Sequence, residues 1–327
     1  MSDKYLETDL NVPDFLIHHY YITGCICICL NSFVFYLLLF RKGKLDSFRY
    51  YLLAFQTICF LSDFHLSFLM QFVPFFPFII GGFAIGAFPS FSLLTPHYCM
   101  TILSFLVGFQ INLLTICFLR KHRVISKVTG KYILSETIYY SIVVSCITIP
   151  FTYSIPFHLT GNTQKQKLEI IDRKYPLYRT RFEQLKNFEI YEFTIWMQIF
   201  SGMVMAGCVH AVSIVSIYIG ETQVVVEESY WTVLDNANSI LPSVFIVATI
   251  VVPFEGAQVF SWYMLMVMTT HSTINCLVVI FTFPEFRAFV LFWSEEGKRF
   301  RKRQMTSGPT SLVTLRTARN AFMNTLH

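Results

Sequence analysis

"VPFFPFIIGGFAIGAFPSFSLL", residues 73–94, decides how many times this chain crosses a membrane. The stretch carries no charge and is long enough to span, since a helix crossing the ~30 Å hydrocarbon layer needs about 20 residues. It also holds Pro74, Pro77 and Pro89 and the pair Gly81-Gly82. Proline removes a backbone donor and clashes with the preceding turn, and glycine adds further helix cost. Read as a span, the stretch gives eight crossings. Read as the top of a helix running into an apolar surface loop, it leaves seven.

The basic residues on either side choose between these. Lys and Arg concentrate in short cytoplasmic loops. Loop 41–49 carries Arg41, Lys42, Lys44 and Arg49, and loop 120–136 carries Arg120, Lys121, Arg123, Lys127 and Lys131. The tail after 284 adds eight more, with "KRFRKR" at 298–303. An eighth span would set the two loops on opposite sides. Seven spans set 17 of the 25 basic residues on the cytoplasmic side, with the N-terminus outside.

Composition agrees with a membrane class. Of 327 residues, 54% are hydrophobic and 14% charged, against roughly 25% charged in soluble proteins. Mean hydropathy is +0.53. The expected fold is therefore an all-α seven-transmembrane bundle over 15–283. Its helices are placed near 15–40, 49–72, 95–119, 137–157, 191–219, 236–253 and 259–283. Residues 1–14 form an extracellular tail. Residues 284–327 form a short interfacial helix (284–297) and a basic cytoplasmic tail. The first fourteen residues hold four acids and one Lys, the reverse of a secretory n-region, so the first span reads as an uncleaved anchor. Loop 158–190 has seven basic residues beside Glu169, Asp172, Glu183 and Glu189, and reads as a mixed polar lid. Loop 220–235 has Glu221, Glu227, Glu228 and Asp235 but no Lys or Arg, which is unusual for an inner loop.

The nine cysteines lie in or beside apolar runs, as in "CICIC" at 25–29. Buried thiols there behave as small hydrophobes, and neighbours two apart point to helix faces about 200° apart. His97, His210 and His271 stand singly on separate helices, with no HxxxH pair, so no metal site is expected. No phosphate loop, nucleophile elbow or paired catalytic acids occur. The expectation is a non-enzyme with no cofactor and no nucleic-acid partner.

Asp63 falls mid-way along the second span. A central Asp costs roughly 2.5–3.5 kcal/mol on the insertion scale, against about 0.3–0.6 returned by each Leu, Ile, Phe or Val. Eleven Leu, Ile or Phe between 50 and 72 offset it, and the carboxyl must face the bundle. It reads as either a hydrogen-bonded switch or a neutral structural acid. Trp196, Trp262 and Tyr263 sit near helix ends, suited to interfacial anchoring or ligand contact. Pro150 and Pro242 predict kinks in the fourth and sixth helices.

Several strings resemble the nematode serpentine chemoreceptors: "DFLIHHYYITGCICICLNSFVFYLLLFRKGKLDSFRYYLLAFQ" (14–56), "SDFHLSFLMQFVPFFP" (62–77), "HYCMTILSFLVGFQINLLTICFLRKHRVI" (97–125) and "VVIFTFPEFRAF" (278–289). Class i is the favoured branch and class h the next. The resemblance implies a plasma-membrane receptor of a sensory-neuron cilium that binds a small environmental molecule and signals to a heterotrimeric G protein. It places the pocket among the outer halves of helices three, five, six and seven, with His97, Met100, Ser104, Trp196 and Trp262 as lining candidates. Asp63 and Asn275 become the buried polar switch. Arg120, Arg123 and Lys127 face the G protein or the anionic inner leaflet. "LRKHR" (119–123) stands where rhodopsin-like receptors carry acid-Arg-Tyr, with Leu119 for the acid and Lys121 for the aromatic. Cys99 opens helix three, but loop 158–190 offers it no disulfide partner. The rival class is a ligand-gated channel or secondary transporter, for which the only polar stripe is Gln56, Asp63, Ser67 and Gln71.

Overall fold

In the computed structural model the chain is described over residues 9–40, 48–76, 79–129, 135–207 and 256–290, with the side chains of 125–129, 284, 285 and 288 left out. The expected span 236–253, the second half of 191–219, Pro242, His210, Cys208, loop 220–235 and the tail from 291 lie outside these residues.

The described elements are mostly helices. Five are long and apolar enough to cross a membrane: Asp14–Phe40, Phe48–Met70, Pro96–Val124, Glu136–His158 and Ala257–Thr282. A shorter apolar helix runs Ile195–Gly207. We label them α1 (Asp14–Phe40), α2 (Phe48–Phe64), α3 (Ala87–Ser90), α4 (Pro96–Thr129), α5 (Glu136–His158), α6 (Gln164–Lys174), α7 (Arg179–Gln184), α8 (Ile195–Gly207), α9 (Ala257–Thr269), α10 (His271–Thr282) and α11 (Pro284–Val290). Met1–Cys276 form one compact unit and Leu277–His327 a second. Within the first, α4 packs on α2 and α5, and α1 packs on α2 and α9. Outward positions stay apolar: Tyr21, Ile22, Leu39, Tyr140, Val144, Phe151 and Ile155 are all exposed. So large an apolar surface calls for lipid rather than water.

Three local features depart from the sequence expectations. First, α4 does not stop at 119 but continues to Thr129, so "LRKHR" lies on a helix and not in a loop. Second, the last membrane helix is broken: Thr270 closes α9, donating its N–H to the Val267 carbonyl at 3.1 Å, and α10 begins at His271. Third, 73–94 is not a surface loop throughout: Val73, Phe75, Ile79, Phe83 and Ala84 are buried, while Phe91 and Leu93 at its far end are exposed. α2 widens into a π-helical turn at His65–Met70, then ends at Gln71 in the left-handed region (φ 46°). The chain then folds as a sheet of order β1-β2-β3, with β1 Phe72–Pro74, β2 Gly81–Ala84 and β3 Phe188–Ile190. Both pairings are antiparallel, with Val73 opposite Phe83 and Gly82 opposite Glu189.

Two of the residues that argued against a spanning helix, Gly81 and Gly82, are ones this sheet requires. A Cβ on Gly81 would strike the Glu189 carbonyl, and one on Gly82 the Phe72 ring and the Val73 carbonyl. Pro74 sits on an edge strand, where its missing donor costs no ladder bond, and its carbonyl accepts from Trp262 Nε1 at 3.2 Å. The sheet encloses a core of Leu16, Tyr20, Met70, Phe75, Phe83, Ile171 and Phe182, each large side chain worth roughly 1.5–3 kcal/mol on burial. Phe75 packs on Phe83 at 5.6 Å and edge-on to Phe182 at 5.5 Å. Tyr20 donates to the Phe72 carbonyl at 2.6 Å, tying α1 to the hairpin.

The stretch 158–190 lies over this sheet as a folded lid. Thr163 and Gln166 form a capping box that starts α6, satisfying two otherwise orphaned helix donors. Lys167 reaches inward to Glu189 Oε1 at 2.7 Å and the Phe188 carbonyl at 3.2 Å. Several of its outer charges pair too: Arg179 with Asp172 and Glu183, and Arg173 and Lys174 both with Glu192.

Candidate ligand cavity and polar network

Beneath the sheet lies a cavity of about 300 Å³. The end of α2 and the hairpin contribute Leu66, Met70, Phe72, Phe76 and Ile80; α4 contributes Met100, Leu103, Ser104, Val107 and Ile111. Tyr153 and Phe157 of α5, Met197, Phe200 and Val204 of α8, and Leu265 and Met268 of α9 complete most of the wall. Nearly all of this surface is hydrocarbon or aromatic. It can hold a neutral apolar molecule, and few groups in it can orient a charged one.

Of the five lining candidates, Met100 and Ser104 face this cavity and His97, Trp196 and Trp262 do not. His97 shares their helix face but lies a turn nearer the lid, where Tyr191 closes over it. Its Nε2 donates to the His158 carbonyl at 3.0 Å, which leaves Nδ1 to accept from the Tyr191 hydroxyl at 3.2 Å. The ring stacks on Phe157 at 5.6 Å, and a Cβ on Gly161 would come within 2.6 Å of Nε2. His97 therefore stands behind the cavity wall and fixes Tyr191, which lines it. Burial, then the Glu189 charge, raises the Tyr191 phenol well above its usual value and keeps it a neutral donor. Trp262 is buried in the core above, and Trp196 is turned outward and exposed. The hairpin residues were missed because an apolar stretch read as a surface loop offers no wall, and Tyr153 because the pocket was expected among helices three, five, six and seven and not the fourth.

Asp63 and Asn275 belong to one buried chain of hydrogen bonds. Asn275 Nδ2 donates to Gln56 Oε1 at 2.6 Å, and Gln56 Nε2 donates to Asn31 Oδ1 at 2.6 Å. Asn31 Nδ2 donates to the Ser272 hydroxyl at 2.9 Å and the Cys27 carbonyl at 2.8 Å. Asp63 Oδ2 accepts from the Ser272 backbone N–H at 2.9 Å. That N–H is one of the orphan donors at the start of α10, so Asp63 caps a helix from a neighbouring one, at its positive end. Asp63 also borders a small chamber of about 30 Å³ with Ser62, Gln110 and His271, of a size for one water. The chamber shares Leu66, Leu103, Val107 and Met268 with the large cavity. The stripe that a channel would need lines no pore among the described residues: Gln56 and Asp63 are engaged as above, and neither Ser67 nor Gln71 borders the large cavity.

At the far end of α4, Arg123 pairs with Glu136, the first residue of α5, and lies 4.3 Å over the Tyr139 ring. Arg120 lies 6.0 Å over the Tyr51 ring of α2. Lys127 is on the same helix, its side chain outside the described residues. Cys99 and the other described interior cysteines are buried and in no disulfide, while Cys25 and Cys29, also in none, are exposed.

Comparison with known families matches the chain to "Serpentine type 7TM GPCR chemoreceptor Sri" over residues 6–229 and 235–290. No curated protein matches it.

Proposed function

Because the chain belongs to the Sri family of serpentine seven-transmembrane chemoreceptors, we propose that it is a chemosensory G-protein-coupled receptor whose ligand, a small and largely apolar molecule, occupies the cavity beneath the hairpin. The observation that carries this is the cavity itself: about 300 Å³ of apolar space roofed by a β-hairpin and bordered by the Asp63 chamber. Four side chains are common to both spaces, so an occupant that displaces Leu103 or Met268 also presses on the site where Asp63 holds the break before α10. A ligand signals only by favouring one bundle shape over another, and in this reading the helix interrupted at Thr270 and held by Asp63 is the element whose shape the ligand biases.

The basic end of α4 is the coupling face in this reading. Arg120, Arg123 and Lys127 meet the heterotrimeric G protein or the anionic leaflet, the N-terminus and lid lie outside, and the C-terminus lies in the cytosol. We place the receptor in class i rather than class h, at the plasma membrane of a sensory cilium.

The test is heterologous expression with cAMP, cGMP and calcium readouts against an odorant panel, with surface display confirmed by an N-terminal tag on intact cells. A response lost on Arg120→Ala while ligand binding persists supports the coupling face. Antibody access to a C-terminal tag without permeabilisation overturns the topology and the receptor reading with it.

A further inference from the structure

One cavity-lining residue bridges two helices through gaps left by glycine. Tyr153 of α5 lies against Gly108 of α4 and Gly207 of α8, and all three line the cavity. A Cβ on Gly108 would come within 2.7 Å of Tyr153 Cδ2, and one on Gly207 within 2.6 Å of the Tyr153 hydroxyl oxygen. Both are closer than real Cβ contacts allow. The ring is thus wedged along its length between two helix backbones, in slots that any other residue would fill. Tyr153 is half-buried, one turn of α5 before Phe157, which packs on Tyr191 under the lid, and the cavity lining also includes Ile111 and Val204, one turn from Gly108 and Gly207.

Resting on the reading that the cavity holds the ligand, we infer that Tyr153, seated by Gly108 and Gly207, is the size-determining residue of the site. The ligand class it selects is a neutral molecule that is mostly hydrocarbon, with its length limited by the tyrosine ring. The aliphatic lining supplies affinity in proportion to apolar area, so each further methylene that fits tightens binding roughly fourfold. The gain stops where the chain meets the ring, because overpacking against a wall wedged between backbones is destabilising. Two substitutions move that wall in opposite directions. Tyr153→Ala removes it. Gly108→Ala leaves the ring no room on α4 and drives it toward the cavity.

The experiment uses full-length receptor in lipid nanodiscs. The probe is 1-aminoanthracene fluorescence, displaced by straight-chain methyl ketones from pentan-2-one to tridecan-2-one, with empty nanodiscs subtracted. Wild type is expected to show a chain-length optimum, Tyr153→Ala an optimum at longer members, and Gly108→Ala one at shorter members. Gly108→Ala removes no contact and suits a helix interior, so it keeps the test alive if Tyr153→Ala does not fold. An optimum in wild type that neither substitution moves overturns the role of Tyr153 and leaves the cavity reading standing. Absence of displaceable probe in wild type overturns the cavity reading, and the inference with it.

Discussion

The two ends of the bundle each hold a cation against a carboxylate and an aromatic ring, and they do so in different surroundings. At the lid, Lys167 and Glu189 are 10% and 2% exposed, and the Lys167 ammonium lies 5.8 Å from the Phe188 ring. At the basic end, Arg123 is nearly covered, but its partner Glu136 is 63% exposed. The lid pair is enclosed by a sheet, a helix and the core. The other joins the last turns of α4 to the first of α5 at the membrane boundary. Removing one member of an enclosed pair strands a charge, whereas an exposed pair is screened and replaced by water. The same chemistry thus makes a fixed clasp at the lid and a releasable one at the basic end of α4.

The most damaging way to test this contrast is at Lys167. Lys167→Met leaves Glu189 buried without its cation, and a broken buried pair costs about 3–5 kcal/mol. The lid should detach from the sheet, read as fast hydrogen exchange across 163–190 and loss of probe from the cavity. Lys167→Met combined with Glu189→Leu should recover most of the protection, because no charge is then stranded. If the single variant protects its amides as wild type does, the pair is not a clasp.

Next in size is the sheet on which the clasp rests. Gly82→Val places a branched side chain against the Phe72 ring and the Val73 carbonyl, an overpacking worth about 1–3 kcal/mol. The expected result is weaker protection of β1 and β2 with the long helices unchanged. At the basic end Arg123→Ala should leave the thermal midpoint close to wild type yet alter basal or ligand-evoked signalling. Arg123→Lys should behave likewise, since an ammonium lacks the planar fork that lies over Tyr139. A large drop in midpoint would make this pair as structural as the one in the lid.

How much of this was legible in the sequence follows the range of the interactions. Among the described residues the apolar runs coincide with helices, because a span needs only length and hydropathy. The inward Asp63 was forced by its own desolvation cost. The hairpin was not legible: an apolar run with three prolines argues against a spanning helix, but the third strand that completes its sheet, Phe188–Ile190, lies more than a hundred residues on. Met100 and Ser104, chosen from depth along α4, do border the cavity. His97 shares their face but stands behind the wall, because the folded lid brings Tyr191 and His158 to it. Asn275 was noticed, whereas Asn31 was not, since an asparagine among apolar residues does not reveal that Gln56 awaits it. The helix break at Thr270 carries neither proline nor glycine, so no local signal marks it.

The smallest expected effect separates two carboxylates of the lid that lie three residues apart. Burial raises the Glu189 carboxyl, opposed by hydrogen bonding and charge from Lys167. The Lys174 hydrogen bond, assisted by Arg173, lowers the Glu192 carboxyl below its ordinary value of 4.5. The signs follow by linkage. Glu192, ionised more readily when folded, contributes stability above pH 4.5 that is lost as pH falls through its depressed value. Glu189 works the other way, its contribution being present below the ordinary carboxylate range and lost as pH rises through its raised value. Glu192 is partly exposed and its partners Arg173 and Lys174 more so, so its share is screened and modest. Acidification from pH 6 toward pH 3 should therefore loosen the C-terminal turn of α6 while β3 keeps its protection. Glu192→Gln should abolish the pH dependence at Arg173 and Lys174 and leave that of β3 untouched. Limited proteolysis after those two residues across the pH series reads the difference, and equal cleavage of wild type and Glu192→Gln at every pH would remove Glu192 from the account.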